Sequence, residues 1–175
     1  MAISLIDNLA SRGDAAGDSF SSIENLTGSG HRDILRGDNG VNVLSGLDGN
    51  DTLEGLGGAD TLIGGQGHDT LGQDAFLFDT GLNAATNVDL IVDFNVADDT
   101  IRLDDAVFGG LNGGTLAANQ FVIGAAAQDG DDRIVYDDAT GALFHHLYGA
   151  GGAAAVQFAT VSAGLALTNL DFFVV

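Results

Sequence analysis

The sequence predicts an all-β fold in which a repetitive first half is followed by a second group of strands. Three observations predict it. A nine-residue repeat runs from residue 28 to residue 72, and this period matches neither a helix face nor a single strand. The chain holds 27 glycines and no proline in 175 residues, and glycine permits the positive φ of tight turns. From residue 75 the repeat gives way to short alternating apolar segments, which are typical of strands.

Every repeat has the same internal order. Its last three residues, as in Thr52–Glu54, suit a very short strand with only the leucine pointing inward, and the six residues before them suit a turn. The inward column is Leu35, Leu44, Leu53, Leu62 and Leu71, and the column two residues earlier is Asp33, Asn42, Asp51, Asp60 and Asp69. Each unit opens with a glycine, and a second glycine column is interrupted only at His31. Residues 19–27 form an incomplete earlier unit with Glu24 and Leu26 in these columns.

Composition excludes several classes of function. A formal charge of −20, with five arginines and no lysine, argues against binding to nucleic acid or to an anionic membrane. The absence of cysteine excludes a disulfide scaffold, a zinc finger and a thiol nucleophile. An apolar fraction of 45% is too high for a disordered acidic chain. The acids therefore need a counter-ion.

The nonapeptide resembles the G-G-x-G-x-D-x-U-x repeat of RTX, or hemolysin-type, calcium-binding proteins. This resemblance implies a calcium-bound parallel β-roll in which successive strands alternate between two sheets. One coil then takes two repeats, and each Ca²⁺ lies between turns that are 18 residues apart. Calcium prefers six to eight oxygen ligands, which carbonyls and carboxylates supply.

The resemblance also implies three ligand sets. The first ion is expected to join the carbonyls of Ser29 and His31 and the carboxylate of Asp33 to Gly46, Asp48 and Asp51. The second joins Asp38, Gly40 and Asn42 to Gly55, Gly57 and Asp60, and is expected to be the weakest because Asn42 is neutral. The third joins Leu47, Gly49 and Asp51 to Gly64, Gln66 and Asp69. Glu24, facing Asn42, is a candidate for a fourth and poorer calcium site. The repeat breaks after Leu71, and Asp74 is expected to act as a terminal ligand there.

The second half is predicted to be strands separated by acidic or glycine turns, forming a lobe that caps the roll. Residues 89–104 resemble a segment that follows the roll in serralysin-type and other exported proteins. They are interpreted either as a hairpin with polar outer faces or as a segment in which Asp89 or Asp93 binds calcium. Residues 151–165 suit a strand or a short helix. The final TNLDFFVV resembles a type I secretion signal and equally suits a buried last strand.

These observations divide the chain into N-terminal strands that cap or continue the roll (1–27), the roll (28–74), and the β-rich lobe with the secretion signal (75–175). No zinc-protease HExxH pair or G-x-S-x-G elbow is present, and the adjacent His145 and His146 face opposite ways on a strand, so no enzyme activity is expected. We expect a secreted, extracellular calcium-binding module that depends on the type I machinery and forms the C-terminal part of a larger protein with an upstream catalytic domain. The alternative is a self-contained adhesin or a module that binds an extracellular polysaccharide.

Overall fold

The computed structural model describes residues 1–6, 9–12 (backbone only), 17, 21–64, 74–97, 99–151 and 154–175. Over these ranges the protein consists of β-strands and two short 3-10 helices, η1 (Ala118–Gln120) and η2 (Asn169–Asp171). The predicted all-β class and the parallel β-roll are confirmed, although both sheets also contain antiparallel pairs. None of the helices in the described ranges has the length and hydropathy that a membrane span requires.

The strands are short and follow one another across the two sheets. In chain order they are β1 (Ala2–Ser4), β2 (Leu9–Arg12), β3 (Asn25–Thr27), β4 (Ile34–Arg36), β5 (Val43–Ser45), β6 (Thr52–Glu54), β7 (Thr61–Ile63), β8 (Ala75–Phe78), β9 (Asp89–Ile91), β10 (Thr100–Leu103), β11 (Gly114–Thr115), β12 (Phe121–Ile123), β13 (Ile134–Asp137), β14 (Ala142–His145), β15 (Val156–Thr160) and β16 (Phe172–Val174). The first sheet has the order β11-β16-β10-β8-β6-β4-β1-β2, and the second has the order β12-β13-β14-β15-β9-β7-β5-β3.

The repeats form a parallel roll because their strands enter the two sheets alternately. β4 pairs with β6 in the first sheet, and β3, β5 and β7 pair in the second. The central residue of each strand points into the space between the sheets. Leu35, Leu44, Leu53 and Leu62 are completely buried there, as the column of leucines predicts. Only one side chain per strand is buried in this way, so the core is a single stack of leucines.

The parallel pairing continues beyond residue 74. β8 pairs with β6 and then with β10, which in turn pairs with β16, while β9 joins β7 to β15. The inward positions in this part are filled by larger side chains, including Phe76, Ile91, Ile101 and Phe172, all with no exposed surface. The parallel strand pairing of the repeats thus continues through residues whose sequence no longer repeats.

Two interpretations of the second half can now be decided. The predicted hairpin over residues 89–104 is wrong, because β9 lies in the second sheet and β10 in the first. The segment that suited either a strand or a helix contains the strand β15. Antiparallel pairing appears at the far end of the roll, where β14 pairs with both β13 and β15.

Candidate metal centre

A ladder of aspartates, with Asn42 at one position, runs along both edges of the roll, immediately before strands β4 to β8 and β10 and at the first residue of β9. In each step a side-chain oxygen accepts a hydrogen bond from the backbone N–H of the corresponding residue one coil earlier. The steps are Asp51 Oδ1 to Asp33 N (2.8 Å), Asp60 Oδ1 to Asn42 N (2.8 Å), Asp74 Oδ1 to Asp51 N (2.8 Å), Asp89 Oδ1 to Asp60 N (3.1 Å) and Asp99 Oδ1 to Asp74 N (3.0 Å). These bonds fix one oxygen of each carboxylate and orient the other toward its own turn.

In four ladder residues the second carboxylate oxygen lies against the glycine that opens the turn: Asp33 against Gly28, Asp51 against Gly46, Asp60 against Gly55 and Asp74 against Gly64. A Cβ built on Gly46 would collide with Asp51 Oδ2 and lie 2.6 Å from the carbonyl oxygen of Gly64. A Cβ on Gly28 would lie 2.6 Å from Asp33 Oδ2 and would collide with the Gly46 carbonyl. The missing side chain therefore leaves room where a carboxylate oxygen and a carbonyl oxygen of the next coil converge. Such a space, lined by hard oxygens, suits Ca²⁺.

Two of these inward oxygens have no partner. Asp51 Oδ2 and Asp60 Oδ2 are buried and accept no hydrogen bond within the described residues. A buried carboxylate oxygen without a partner is costly, and it is normally paired or bound to a metal. The corresponding atoms of the earlier coil are satisfied: Asp33 Oδ2 accepts from Ser29 N at 2.5 Å, and Asn42 Oδ1 accepts from Asp38 N at 2.8 Å.

Burial makes the ladder carboxylates hard to ionise in the absence of a cation. It raises the pKa of Asp51, Asp60, Asp74 and Asp99 from 3.8 to about 6 and that of Asp89 to about 7, and neighbouring carboxylates add to the rise. Asp33 is the exception. Burial would raise its pKa as well, but hydrogen bonds from the amino group of Met1 and from Ser29 outweigh burial and lower it.

The turns require backbone conformations that most residues avoid. Gly49 and Gly58 have φ of 140° and 115°, and Leu47 and Leu56 adopt φ of 71° and 73° at the position after the opening glycine. Positive φ costs a non-glycine residue about 1–2 kcal/mol. Strain of this kind persists where surrounding contacts hold it, and it is concentrated at ligand sites.

The predicted ligands of the first and second sets are partly brought together. In the first set, the Gly46 carbonyl lies beside Asp33, and the His31 carbonyl lies against Gly49 and Asp51. Asp48 is exposed, so a contribution through its carbonyl, as the resemblance implies, does not involve its side chain.

The second set shows the same arrangement. A Cβ on Gly37 would lie 2.6 Å from the Gly55 carbonyl and would collide with Asn42 Oδ1. The carbonyl of Gly40 lies against Gly58, and Gly57 lies over Asn39. Asp38 accepts a hydrogen bond from Gly40 N at 2.7 Å, so its side chain stays within its own turn.

The register of the third set differs from the prediction. An 18-residue offset would place Leu71 opposite Leu53 and Asp69 opposite Asp51, but the structure pairs Leu53 with Phe76 and joins Asp51 to Asp74, 23 residues on. Asp74 Oδ2 also lies against Gly64 as Asp51 Oδ2 lies against Gly46. The expected pairing of Asp51 with Asp69 is thus replaced by Asp51 with Asp74. Gln66 and Asp69 lie outside the described residues.

Sequence reasoning missed Asp99 and left Asp74 and Asp89 undecided. The sequence signal that identifies these residues is short: an aspartate two positions before a buried apolar residue. It occurs in Asp74-Ala75-Phe76, Asp89-Leu90-Ile91 and Asp99-Thr100-Ile101, as it does in Asp51-Thr52-Leu53. A search by nine-residue period could not find these residues, because each lies 23, 29 or 25 residues from its ladder partner and not 18.

Side chains alone do not complete a site in this part of the chain. Within the described ranges, no three histidine, cysteine, aspartate or glutamate side chains lie close enough to hold a metal ion. His145, which sequence reasoning had set aside, is buried against Phe108, and its Nε2 lies 3.1 Å from the Gly109 carbonyl oxygen. An ion at the ladder must therefore be bound mainly by backbone carbonyls.

Comparison with known families now decides the nature of the repeats. The family model of the RTX calcium-binding nonapeptide repeat matches residues 36–71 in four copies. Residues 36–71 therefore carry RTX calcium-binding repeats. The predicted Ca²⁺ cofactor is confirmed at the level of the family, which binds that ion. A comparison with curated proteins finds no match. The matched RTX range contains Asp51 and Asp60, whereas Asp33, Asp74, Asp89 and Asp99 lie on the same ladder outside it.

Proposed function

We propose that the chain is a non-catalytic module that folds when its RTX turns bind calcium. The observation that carries this proposal is a pair of buried oxygens, Asp51 Oδ2 and Asp60 Oδ2, that accept no hydrogen bond from any described residue. Each faces the opening glycine of its turn, and Asp51 also faces the carbonyl of Gly64. One cation in each of these two turns would satisfy the carboxylate oxygen there and link that turn to the next coil.

Electrostatic repulsion explains why folding would wait for the ion. Ladder carboxylates on neighbouring coils lie one strand spacing apart, and two charges at about 4.8 Å repel by roughly 3–4 kcal/mol at an effective dielectric of 20. A few such pairs cost on the order of 10 kcal/mol, as much as the whole stability of a domain. The narrow leucine core of the repeats offers little to offset this repulsion.

Hydrogen exchange tests the coupling at the level of single turns. With calcium, the amides of Asp33, Asn42 and Asp51 donate to the ladder and are expected to exchange slowly. With a chelator, peptides from residues 21–64 are expected to exchange at the rate of an unfolded chain. Strong protection in the chelated protein would show that the roll forms without calcium and would refute the coupling.

We further propose that the module is the C-terminal part of a larger secreted protein and leaves the cell by a type I exporter. An unfolded chain can pass through a narrow channel, and bacterial cytosol holds calcium far below the millimolar level outside. Binding to the folded form alone would then stabilise it by RT ln(1 + [L]/Kd) per site, or roughly 8 kcal/mol for three sites at 100 times their Kd. The RTX repeats of residues 36–71, which are typical of secreted proteins, support this proposal.

Residues 171–175 are the segment to test for export. They contain β16, whose Phe172 and Val174 are buried, so their deletion also weakens the folded state. The matched control is Leu103→Ala, which removes a buried side chain from the neighbouring strand β10 and leaves the terminal segment intact. In a host with a type I exporter, the deletion is expected to stay in the cell while Leu103→Ala is secreted. Normal secretion of the deletion variant would show that residues 171–175 are not the secretion signal. It would not bear on the proposal that the module binds calcium.

A further inference from the structure

The arginines of this acidic chain are few, and two of them have no side-chain partner among the described residues. Arg36 donates to Glu54 at 2.7 Å, and Arg133 donates to the Gly130 carbonyl at 2.8 Å. The side chain of Arg12 lies outside the described residues. Arg32 and Arg102 have neither an ion pair nor a side-chain hydrogen bond within the described residues, although the chain holds 25 acids.

Arg32 and Arg102 line the same cleft on the outer face of the first sheet. The cleft has a volume of about 280 Å³ and is lined by Arg32, Asn50, Asp51, Thr52, Ala75 and Arg102. Arg32 lies just before β4 and Arg102 lies on β10, with β6 and β8 between them. Three interstrand steps separate β4 from β10 by about 14 Å. The small side chains of Thr52 and Ala75 form the floor between the two guanidinium groups.

We propose that this cleft binds an oxoanion group, a carboxylate or a sulfate, presented by a ligand at the protein surface. Guanidinium groups match the geometry of such anions through paired N–H donors. Asn50 and Thr52 line the same floor, and their side chains make no hydrogen bond within the described residues, so an amide and a hydroxyl remain for further polar groups of the ligand. This assignment goes beyond calcium binding.

The charge pattern of the molecule supports the assignment. In a protein of net charge −20, an arginine near the surface readily finds a carboxylate, as Arg36 finds Glu54. Two arginines on one cleft, without an ion pair in the part of the chain that the structure describes, form a local exception to the negative surface. Asp51 contributes to the cleft, but calcium bound to its carboxylate would cancel that charge, so the anion is expected to bind the calcium-loaded form more tightly.

An NMR titration of the calcium-loaded, folded protein tests the site. The probes are sodium sulfate, an oligogalacturonate and the neutral methyl ester of that oligogalacturonate. The amides of Thr52 and Ala75 are expected to shift with at least one of the two anionic probes and not with the ester. Binding of both anions identifies a general oxoanion site, and binding of the oligogalacturonate alone identifies an acidic sugar as the source of the anion.

Arginine variants make the test specific. Arg102→Gln and Arg32→Gln are each expected to weaken binding by about tenfold, the effect of losing one charge-assisted hydrogen bond. Arg133→Gln, which removes the same charge next to β13 in the other sheet, is the control and is expected to leave binding unchanged. Circular dichroism in calcium verifies that each variant is folded. The absence of shifts with both anions, equal binding of the ester, or equal loss in all three variants would overturn the proposal.

Discussion

Asp74 Oδ1 accepts a hydrogen bond from the backbone N–H of Asp51 at 2.8 Å across 23 residues, where the repeat alone would have joined Asp51 to a partner 18 residues on. This contact shows that the ladder is set by strand pairing and not by the nine-residue period. It also places Asp51 between two neighbours, Asp33 on one coil and Asp74 on the next.

Because Asp51 lies between two ladder neighbours, its substitution is expected to reduce calcium binding more than that of any other ladder residue. Asp51→Asn is expected to lower calcium affinity and cooperativity more than Asp33→Asn, because it removes a charge from two adjacent sites. The control is Asp48→Asn, which alters an exposed side chain in the same turn and keeps the backbone carbonyl. Isothermal titration with calcium measures the difference. Equal losses for Asp51→Asn and Asp33→Asn would contradict the register.

Asp74 tests whether the array extends beyond the matched repeats. Asp74→Asn is expected to reduce calcium binding at the turn opened by Gly46, because its Oδ1 positions Asp51 and its Oδ2 faces Gly64. Asp69→Asn, the partner expected from the sequence, is the comparison. A larger loss of calcium affinity in Asp69→Asn than in Asp74→Asn would restore the 18-residue pairing at this turn.

The glycine that opens each turn allows a steric test of the space that we propose for the cation. Gly46→Ala places a methyl group onto Asp51 Oδ2 and near the Gly64 carbonyl, so it is expected to abolish cooperative folding in calcium. Gly30→Ala, in a neighbouring turn, meets no atom within 4 Å and is the control. It is expected to change the midpoint of thermal unfolding by only a few degrees. Similar behaviour of the two variants would show that the space beside Asp51 is not needed.

The ladder also predicts an unusual pH dependence for the calcium-free protein. In the folded state the pKa values of Asp51, Asp60, Asp74 and Asp99 are about 6, and burial and the charge of Asp79 raise that of Glu54 to about 7. A raised acid pKa means that the folded state binds more protons than the unfolded state, so this contribution to stability is full below about pH 4 and is lost as the pH rises toward about 7. Asp33, whose pKa is lowered, opposes this trend.

Acidification is therefore expected to restore β-structure to the chelated protein, with protons acting in place of calcium. Circular dichroism between about pH 7 and pH 4 measures the transition, and the Asp60→Asn, Asp89→Asn double variant is expected to flatten it. A loss of β-structure on acidification over this range would contradict the raised pKa values.

The sequence predicted the roll more accurately than its extension. The leucine column and the glycine-framed turns determined the strands β4 to β7, because each repeat buries one side chain and repeats the same turn. After Leu62 the inward positions are filled by Phe76 and Ile91, and the segment that separates β7 from β8 (64–74) is longer than one repeat. The nine-residue period therefore no longer predicts which strands pair. Pairing of strands distant in sequence, such as β9 with β15, depends on packing that no local pattern encodes.

The partial prediction of the site has the same cause. Spacing identified Asp33, Asp51 and Asp60, but it could not show that Asp51 Oδ2 and Asp60 Oδ2 are buried with no partner in the described ranges. It also gave no sign that Arg32 and Arg102 share a cleft, because they are 70 positions apart in the chain and meet only through the order of strands in the first sheet.

Far-UV circular dichroism with and without calcium tests the central claim most directly. The chelated protein at neutral pH is expected to give a spectrum of an unfolded chain, and calcium at millimolar concentration is expected to give a β spectrum in one cooperative transition. Magnesium is expected to substitute poorly, because its strict octahedral geometry and tightly held waters do not suit sites made of carbonyls. A full β spectrum in the chelated protein, or equal folding with magnesium, would contradict the conclusion that calcium holds the coils together.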